Sequence, residues 1–338
     1  MNAPSAPLLA VRRLKIHYPI KSWIPWRGGG MAKAVDGVDL NLAPGETLGI
    51  VGESGSGKSS LARALVGLQT ATSGSIEYRD GAGAPHELTR LDAKGWRPHR
   101  RDIQLVFQDP QSSLNPRMRV GHAVAEPLKA LFRDLSKTER NARALAMLQR
   151  VGLSAEHAER YPHELSGGQC QRVGIARALV VKPRLLICDE PVSALDVSVQ
   201  AQIINLLMEL QAEYGLSMIF IAHDLAVVRH LSQRVLVMYM GKIMEQAEAQ
   251  TLFRQAVHPY TRALLAAVPG DDLARPEVEG AAIVDGEAPS PLAPPPGCVF
   301  VARCPMADQA CNRSVPALRR VAHGGYAACH FVGMAAPV

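Results

Sequence analysis

The feature that constrains this chain most is the run GESGSGKSS at positions 52–60, which follows the apolar stretch Glu46 to Val51 and opens the aliphatic stretch Lys58 to Leu68. The first stretch reads as a buried strand and the second as a helix, so the chain is committed here to a strand, a loop and a helix. Gly52, Gly57, Lys58 and Ser59 spell GxxxxGKS. Without side chains at Gly52, Gly55 and Gly57, backbone N–H groups can curl around phosphates at the positive end of a helix. Lys58 then reaches the terminal phosphates and Ser59 ligates Mg2+. A glycine-rich turn with a chance lysine has no reason to fall between a strand and a helix.

Around that unit the pattern alternates. Leu8 to Tyr18 and Val35 to Leu42 read as half-buried strands, joined by a loop from Lys21 to Gly30 that holds two Trp and three consecutive Gly. Ile103 to Phe107 is strand-like. Ala123 to Phe132 is helical, and Ser136 with Glu139 forms a capping box for a helix running to about Val151. We read 115–163 as a helical subdomain. A second α/β half follows, with strands at Leu185 to Cys188, Met218 to Ala222 and Val235 to Met240 and a long helix from Val199 to Tyr214. Strands separated by helices imply a parallel sheet. Asp271 to Pro296, rich in Pro, Gly and Ala, reads as a linker before a cysteine-bearing tail.

Two further motifs carry chemistry. The strand RLLICDE from Arg184 to Glu190 ends in two acids, at the strand edge where open α/β sheets bind ligands. Asp189 suits Mg2+ and Glu190 suits polarising an attacking water. By itself an apolar run ending in acids is a plain strand exit; the phosphate loop gives it weight. LSGGQ at 165–169 precedes a helix to about Val180, so Ser166, Gly167, Gly168 and Gln169 form a second anion-binding helix nose, or simply an N-cap with a flexible entry.

Taken together, GESGSGKSS at 52–60, Gln108, LSGGQ at 165–169, LLICDE at 185–190, SALD at 193–196 and His223 resemble, in order, the ATP-binding cassette ATPases. A GTPase or kinase reading explains the phosphate loop alone. The resemblance implies an α/β fold: a P-loop nucleotide-binding domain at 1–250, with a mixed RecA-like sheet, an antiparallel β subdomain and the helical subdomain, plus a small C-terminal extension at 251–338. It also implies roles. Gly52, Ser54, Gly55, Ser56, Gly57, Lys58, Ser59 and Ser60 bind ATP, and Tyr18 stacks on adenine. Ser59, Gln108 and Asp189 hold Mg2+. Glu190 is the general base, His223 holds the γ-phosphate and the water, and Gln108 senses Mg2+ and the transport partner. Ser166 to Gln169 contact ATP on a second subunit, and Asp196 communicates across the dimer. Cys170 is read as a small helix residue with no redox task.

IQLVFQDPQSSLNPR from Ile103, YPHELSGGQCQR from Tyr161 and HPYTRALLAAVP from His258 are similar to the dipeptide and oligopeptide importer branch. That branch implies a related ATPase as partner, two membrane permeases and an external substrate-binding protein, with no nucleic acid. It places the chain peripherally on the cytoplasmic face of the inner membrane. Other features agree with this expectation. No stretch reaches the ~20 apolar residues of a membrane span, and Met1 to Ala10 lacks the basic start of a secretory signal. The 37 basic and 31 acidic residues leave a net +6 that is scattered rather than interleaved with aromatics. A repair-type cassette needs a long coiled coil between its phosphate loop and LSGGQ, whereas 107 residues separate Lys58 from Leu165 here, and a translation-type chain carries two cassettes.

The tail holds Cys298, Cys304, Cys311 and Cys329, at intervals of five, six and seventeen residues. Zinc sites favour CxxC pairs, and a reducing cytosol disfavours disulfides. Four thiolates suit a 4Fe–4S cluster, which some members of the importer branch carry; zinc and unligated thiols are the alternatives. His323 or His330 is a candidate to replace one ligand.

Overall fold

The continuous aliphatic runs are the centres of two structural units. The structure, a computed structural model, describes residues 6–20, 30–267, 292 and 294–332. One unit gathers the residues up to Leu9, Leu42–Thr47 and Tyr78–Ile221; the other gathers Ala10–Asn41, Leu48–Glu77 and the chain from Ala222 onward.

In the first unit the strand Leu185–Asp189 lies between Ile103–Val106 and Ser217–Ala222, parallel to both, with Ile103 opposite Leu185 and Leu185 opposite Ser217. Every residue of Leu185–Asp189 and Ser217–Ala222 is buried. Burial on both faces is what an unbroken apolar run without alternation requires. Beside these strands, the helix Val120–Leu131 packs on Lys137–Arg150, Ala155–Glu159 and Gly167–Leu179. The expected capping box forms: Glu139 N donates to Ser136 Oγ at 3.2 Å, and Ser136 N donates to Glu139 Oε2 at 2.8 Å. The helix Val197–Tyr214 stops at Gly215, whose φ of +61° reverses the chain. Gly74 to Arg101, in which the sequence suggested no elements, holds the strands Ser73–Arg79 and Pro85–Glu87 and the helix Trp96–Asp102.

In the second unit, Thr47–Val51 runs parallel to Arg234–Tyr239, with Leu48 opposite Arg234 and Val51 opposite Val237. Arg234–Tyr239 turns tightly into the antiparallel strand Lys242–Glu248, and Tyr239 pairs with Lys242. The two turn residues, Met240 and Gly241, have φ of +45° and +76°. Positive φ at both central positions is the signature of the turn that matches strand twist in hairpins. The tail adds to the same sheet, since Tyr326–Ala327 pairs with Lys242–Glu248 and Arg319–Arg320 with Tyr326–Ala327. A second sheet places Met31–Leu42, Leu9–Pro19 and Ser73–Arg79 side by side in that order. The fold is thus α/β with both parallel and antiparallel pairing. The segment expected as a linker falls almost wholly outside the described residues, as do 21–29 of the loop after Tyr18. Among the described residues no helix is long and apolar enough to cross a membrane.

Candidate functional site

The phosphate-loop residues occupy the link between Thr47–Val51 and the helix Lys58–Leu65. Gly52, Gly55 and Gly57 have φ of +153°, +77° and +101°. A Cβ on Gly52 would stand 2.1 Å from the Met238 carbonyl oxygen, and one on Gly57 would stand 2.0 Å from that of Ala34. Close backbone approach therefore demands glycine at both. The loop is seated on the hairpin, because Gly241 N donates to Ser56 O at 2.9 Å. Ser54 and Gly55 form its exposed tip, and Ser59 and Ser60 lie in the first helical turn. That turn contains no acidic residue and Gly57 offers no capping side chain, so the helix start suits an anion. Lys58 is 4% exposed. Its Nζ donates to Gly52 O at 2.7 Å, Glu53 O at 2.9 Å and Ser56 Oγ at 3.3 Å, which folds the ammonium along the loop. Tyr18, near the end of Leu9–Pro19, donates its hydroxyl to Ser60 Oγ at 3.3 Å and so borders this helix start.

The first unit holds the acids. Asp189 ends its strand and is buried; Glu190 follows, half-exposed, with φ of +47°. A glutamate in the left-handed region is strained by about 1–3 kcal/mol, a strain typical of functional turns. Its N–H donates to Ile221 O at 3.0 Å, and its carboxylate Oε2 accepts from Gln108 Nε2 at 2.9 Å. Gln108 and Glu190, 82 residues apart in sequence, are thus brought together. The turn after Gln108 is fixed by Asp109, whose Oδ1 accepts from Gln111 N at 3.0 Å and Ser112 N at 3.2 Å; these bonds, that from Ser112 foremost, hold its carboxyl below the ordinary range. Arg177, on the helix Gly167–Leu179, donates to Ser113 O at 2.6 Å.

The same helix begins at LSGGQ. Ser166 is exposed and caps it: Gln169 N donates to Ser166 Oγ at 3.3 Å, and Ser166 N donates to Gln169 Oε1 at 2.9 Å. A Cβ on Gly168 would meet Val199 at 2.6 Å, so this glycine serves close packing, and Gly167 is half-exposed. Cys170 is buried, with its Sγ directed to Pro162 O at 3.4 Å and its thiol raised by burial, as a packing residue would be. Asp196 is exposed at the N-cap of Val197–Tyr214. His223 stands exposed after Ser217–Ala222, and its neighbour Asp224 caps the next helix by accepting from Ala226 N at 2.8 Å.

Sequence reasoning missed three residues beside the loop. Glu53 N donates to Tyr260 Oη at 2.9 Å, and the two Arg303 Nη atoms donate to the Glu53 carboxylate at 2.8 and 3.0 Å. The HPY of the C-terminal region was a usable signal. His258 Nδ1 accepts from Tyr260 N at 3.0 Å and Pro259 opens the helix Pro259–Ala266, an N-terminal cap that aims Tyr260.

Of the tail thiols, Cys311 sits on the short helix Gln309–Arg313, whereas Cys298, Cys304 and Cys329 lie in the connections between elements. Burial pushes all four up, Cys304 to about 11, and Cys298 and Cys304 also feel the other thiols. Among the described residues no group of three or more His, Cys, Asp or Glu is placed to hold a metal ion, so neither the iron–sulfur nor the zinc expectation gains support from this geometry.

Residues 35–193 match the family model described as ABC transporter, and 244–311 match that of the oligopeptide/dipeptide transporter C-terminal region. The oligopeptide transport ATP-binding protein OppF of Escherichia coli is 52% identical over 92% of this chain and 92% of its own. The oligopeptide transport ATP-binding protein AppF of Bacillus subtilis is 47% identical over 96% and 97%. Among solved structures, the dimeric post-hydrolysis state of the ATP-binding cassette MJ0796, bound to ADP and Pi, aligns with a TM-score of 0.63 at 30% identity, over 71% of this chain and 98% of that one.

Proposed function

The chain belongs to the ATP-binding cassette transporter ATPases, in the branch that carries the oligopeptide/dipeptide C-terminal region, and from that premise we propose that its ATP hydrolysis powers uptake of dipeptides or oligopeptides through membrane permeases. The observation that carries this reading is the union, in one chain, of a cassette at 35–193 and that C-terminal region at 244–311. In our reading residues 1–250 form the ATP-binding domain and 251–338 the extension.

The roles follow from the residues. ATP enters at Gly52 to Ser60: the loop amides and the helix start take the phosphates, Lys58 swings its ammonium from the loop carbonyls to the terminal phosphates, and Tyr18 stacks on the base. Ser59, Gln108 and Asp189 would hold Mg2+, which when bound draws charge from the phosphates. Glu190 takes a proton from the attacking water, Gln108 orients the Glu190 carboxylate, and His223 steadies the γ-phosphate. Ser166, Gly167, Gly168 and Gln169 present their helix start to ATP on a second, related ATPase, and Asp196 relays between the two. The helical subdomain, 115–163, receives the permeases. An external binding protein supplies cargo, and the subunit works peripherally at the cytoplasmic face of the inner membrane. For the tail we infer a 4Fe–4S cluster from ligand chemistry: Cys298, Cys304, Cys311 and Cys329 would hold it, because four thiols suit such a cluster and zinc sites favour the CxxC pairs that these spacings lack.

Glu190→Gln tests the assignment. ATP affinity should persist in the assembled transporter while steady-state turnover falls roughly a hundredfold or more, and labelled peptide uptake into vesicles should stop with it. Near-wild-type turnover would remove Glu190 as the base, and turnover that proceeds without any peptide uptake would remove the transport reading.

A further inference from the structure

The C-terminal region reaches the phosphate-binding loop itself. Glu53, the residue after Gly52, is gripped twice: its N–H by the Tyr260 hydroxyl at 2.9 Å and its carboxylate by both Nη atoms of Arg303, 250 residues away, at 2.8 and 3.0 Å. A two-pronged guanidinium–carboxylate pair fixes orientation as well as distance. The Arg303 side chain is 11% exposed, with its guanidinium carbon 5.8 Å from the Tyr239 ring and 5.9 Å from the Phe300 ring. Its Nη1 also donates to Tyr239 Oη at 3.3 Å.

Both arms rest on one base. Tyr239, Tyr260 and Phe300 are each 1% exposed and pack ring against ring at centroid distances of 4.7, 5.4 and 5.3 Å. His258 fixes the helix that carries Tyr260, and the turn Val301–Arg303 carries the guanidinium. The object gripped is not peripheral to the loop. The Glu53 carbonyl accepts from Lys58 Nζ at 2.9 Å and from Ser56 N at 3.2 Å, so a shift of Glu53 displaces the Lys58 ammonium and the amides that follow it.

We propose that Arg303 is a positioning residue for nucleotide binding: with Tyr260 it holds Glu53, and through Glu53 the loop from 52 to 58, in the shape that receives phosphates, which makes the C-terminal region a working part of the nucleotide site. The inference rests on the reading that this loop binds ATP.

Calorimetry of ATP binding to the full chain tests it, with thermal midpoints recorded alongside. Arg303→Ala should weaken ATP about tenfold, the scale of one lost charge-assisted pair, and amides 53–57 should exchange hydrogen faster. Arg303→Lys, which keeps the charge but not the fork, should recover part of the loss. Glu53→Gln leaves the C-terminal packing untouched and decides the matter if Arg303→Ala lowers the thermal midpoint strongly; it should weaken ATP in the same direction. Combined with Arg303→Ala it should do no further harm, since both remove one interaction. Wild-type affinity in Glu53→Gln and Arg303→Ala, or losses that multiply in the double variant, would overturn the proposal. Undiminished ATP binding by Lys58→Ala would instead overturn the nucleotide reading beneath it.

Discussion

His258 shows how a single side chain ties the C-terminal region to pH. Its ring is 1% exposed, and burial pushes its pKa down from 6.5 to about 4. A histidine whose folded value is depressed stays neutral in the fold but is protonated in the unfolded chain between about pH 6.5 and pH 4, so acid favours unfolding across that window. Fully realised, the effect is of the order of 3 kcal/mol. Glu245 acts in the opposite sense. Its carboxyl is buried, accepts from Val257 N at 2.8 Å and His258 N at 2.9 Å, and is raised by desolvation, so its share of stability is lost as pH rises past the ordinary carboxylate range. A difference measurement isolates the histidine. His258→Asn keeps an acceptor for Tyr260 N but cannot titrate. Between about pH 7 and about pH 5 the thermal midpoint of the natural chain should therefore fall further than the variant's, by on the order of 5 °C. Equal falls would show that His258 does not carry the sensitivity. Residues at this scale differ in legibility. Gly52 and Gly57 were readable because GxxxxGKS falls in one short window between a strand and a helix. The Glu53–Arg303 pair was not, since no local period links residues 250 apart.

Elements were legible where their signals are local. The capping box at Ser136 and Glu139 and the buried strand Leu185–Asp189 announce themselves in short windows. The helix Trp96–Asp102 does not, because it buries only Trp96 and His99 and leaves no apolar stripe. Lys242–Glu248 escapes for another reason: a polar strand is held by its hairpin and by the tail strand Tyr326–Ala327, neither of which its own residues reveal. The tail is the extreme case, since three of its four cysteines lie in the connections between very short elements. Cys311 lies on the helix Gln309–Arg313, and Cys298 N donates to Cys311 O at 2.7 Å. A Cβ on Gly297 would stand 2.1 Å from that same carbonyl oxygen, so the approach of these two pieces depends on glycine. Thiols raised by burial must lose their protons to bind iron, and the charge on a cluster core would repay that loss. Protein purified without oxygen should contain about four iron atoms and four acid-labile sulfides per chain, and Cys304→Ser should lower both. Stoichiometric zinc, or no metal, would refute the cluster.

At the scale of the whole molecule the question is whether one chain makes a complete catalyst. The helix Gly167–Leu179 presents an exposed start at Ser166, with no acidic residue in its first turn and a capping box between Ser166 and Gln169. Such a start is built to meet an anion, and in our reading the anion is the terminal phosphate of ATP held by the loop of a second ATPase, while this chain's own loop meets the partner's LSGGQ-like helix. Donors aimed at the charge that develops on the transferred phosphoryl are worth on the order of a hundredfold in rate when one is lost. The isolated chain should therefore bind ATP yet turn it over slowly, and rate should appear when the related ATPase and the permeases are added. Ser166→Arg crowds the helix start and should abolish turnover at the site completed by the partner's loop, with ATP affinity at Lys58 unchanged by calorimetry. Light scattering during turnover supplies the deciding control: a preparation that stays strictly monomeric and still hydrolyses ATP at the full-complex rate would show that the second subunit contributes nothing to the chemistry.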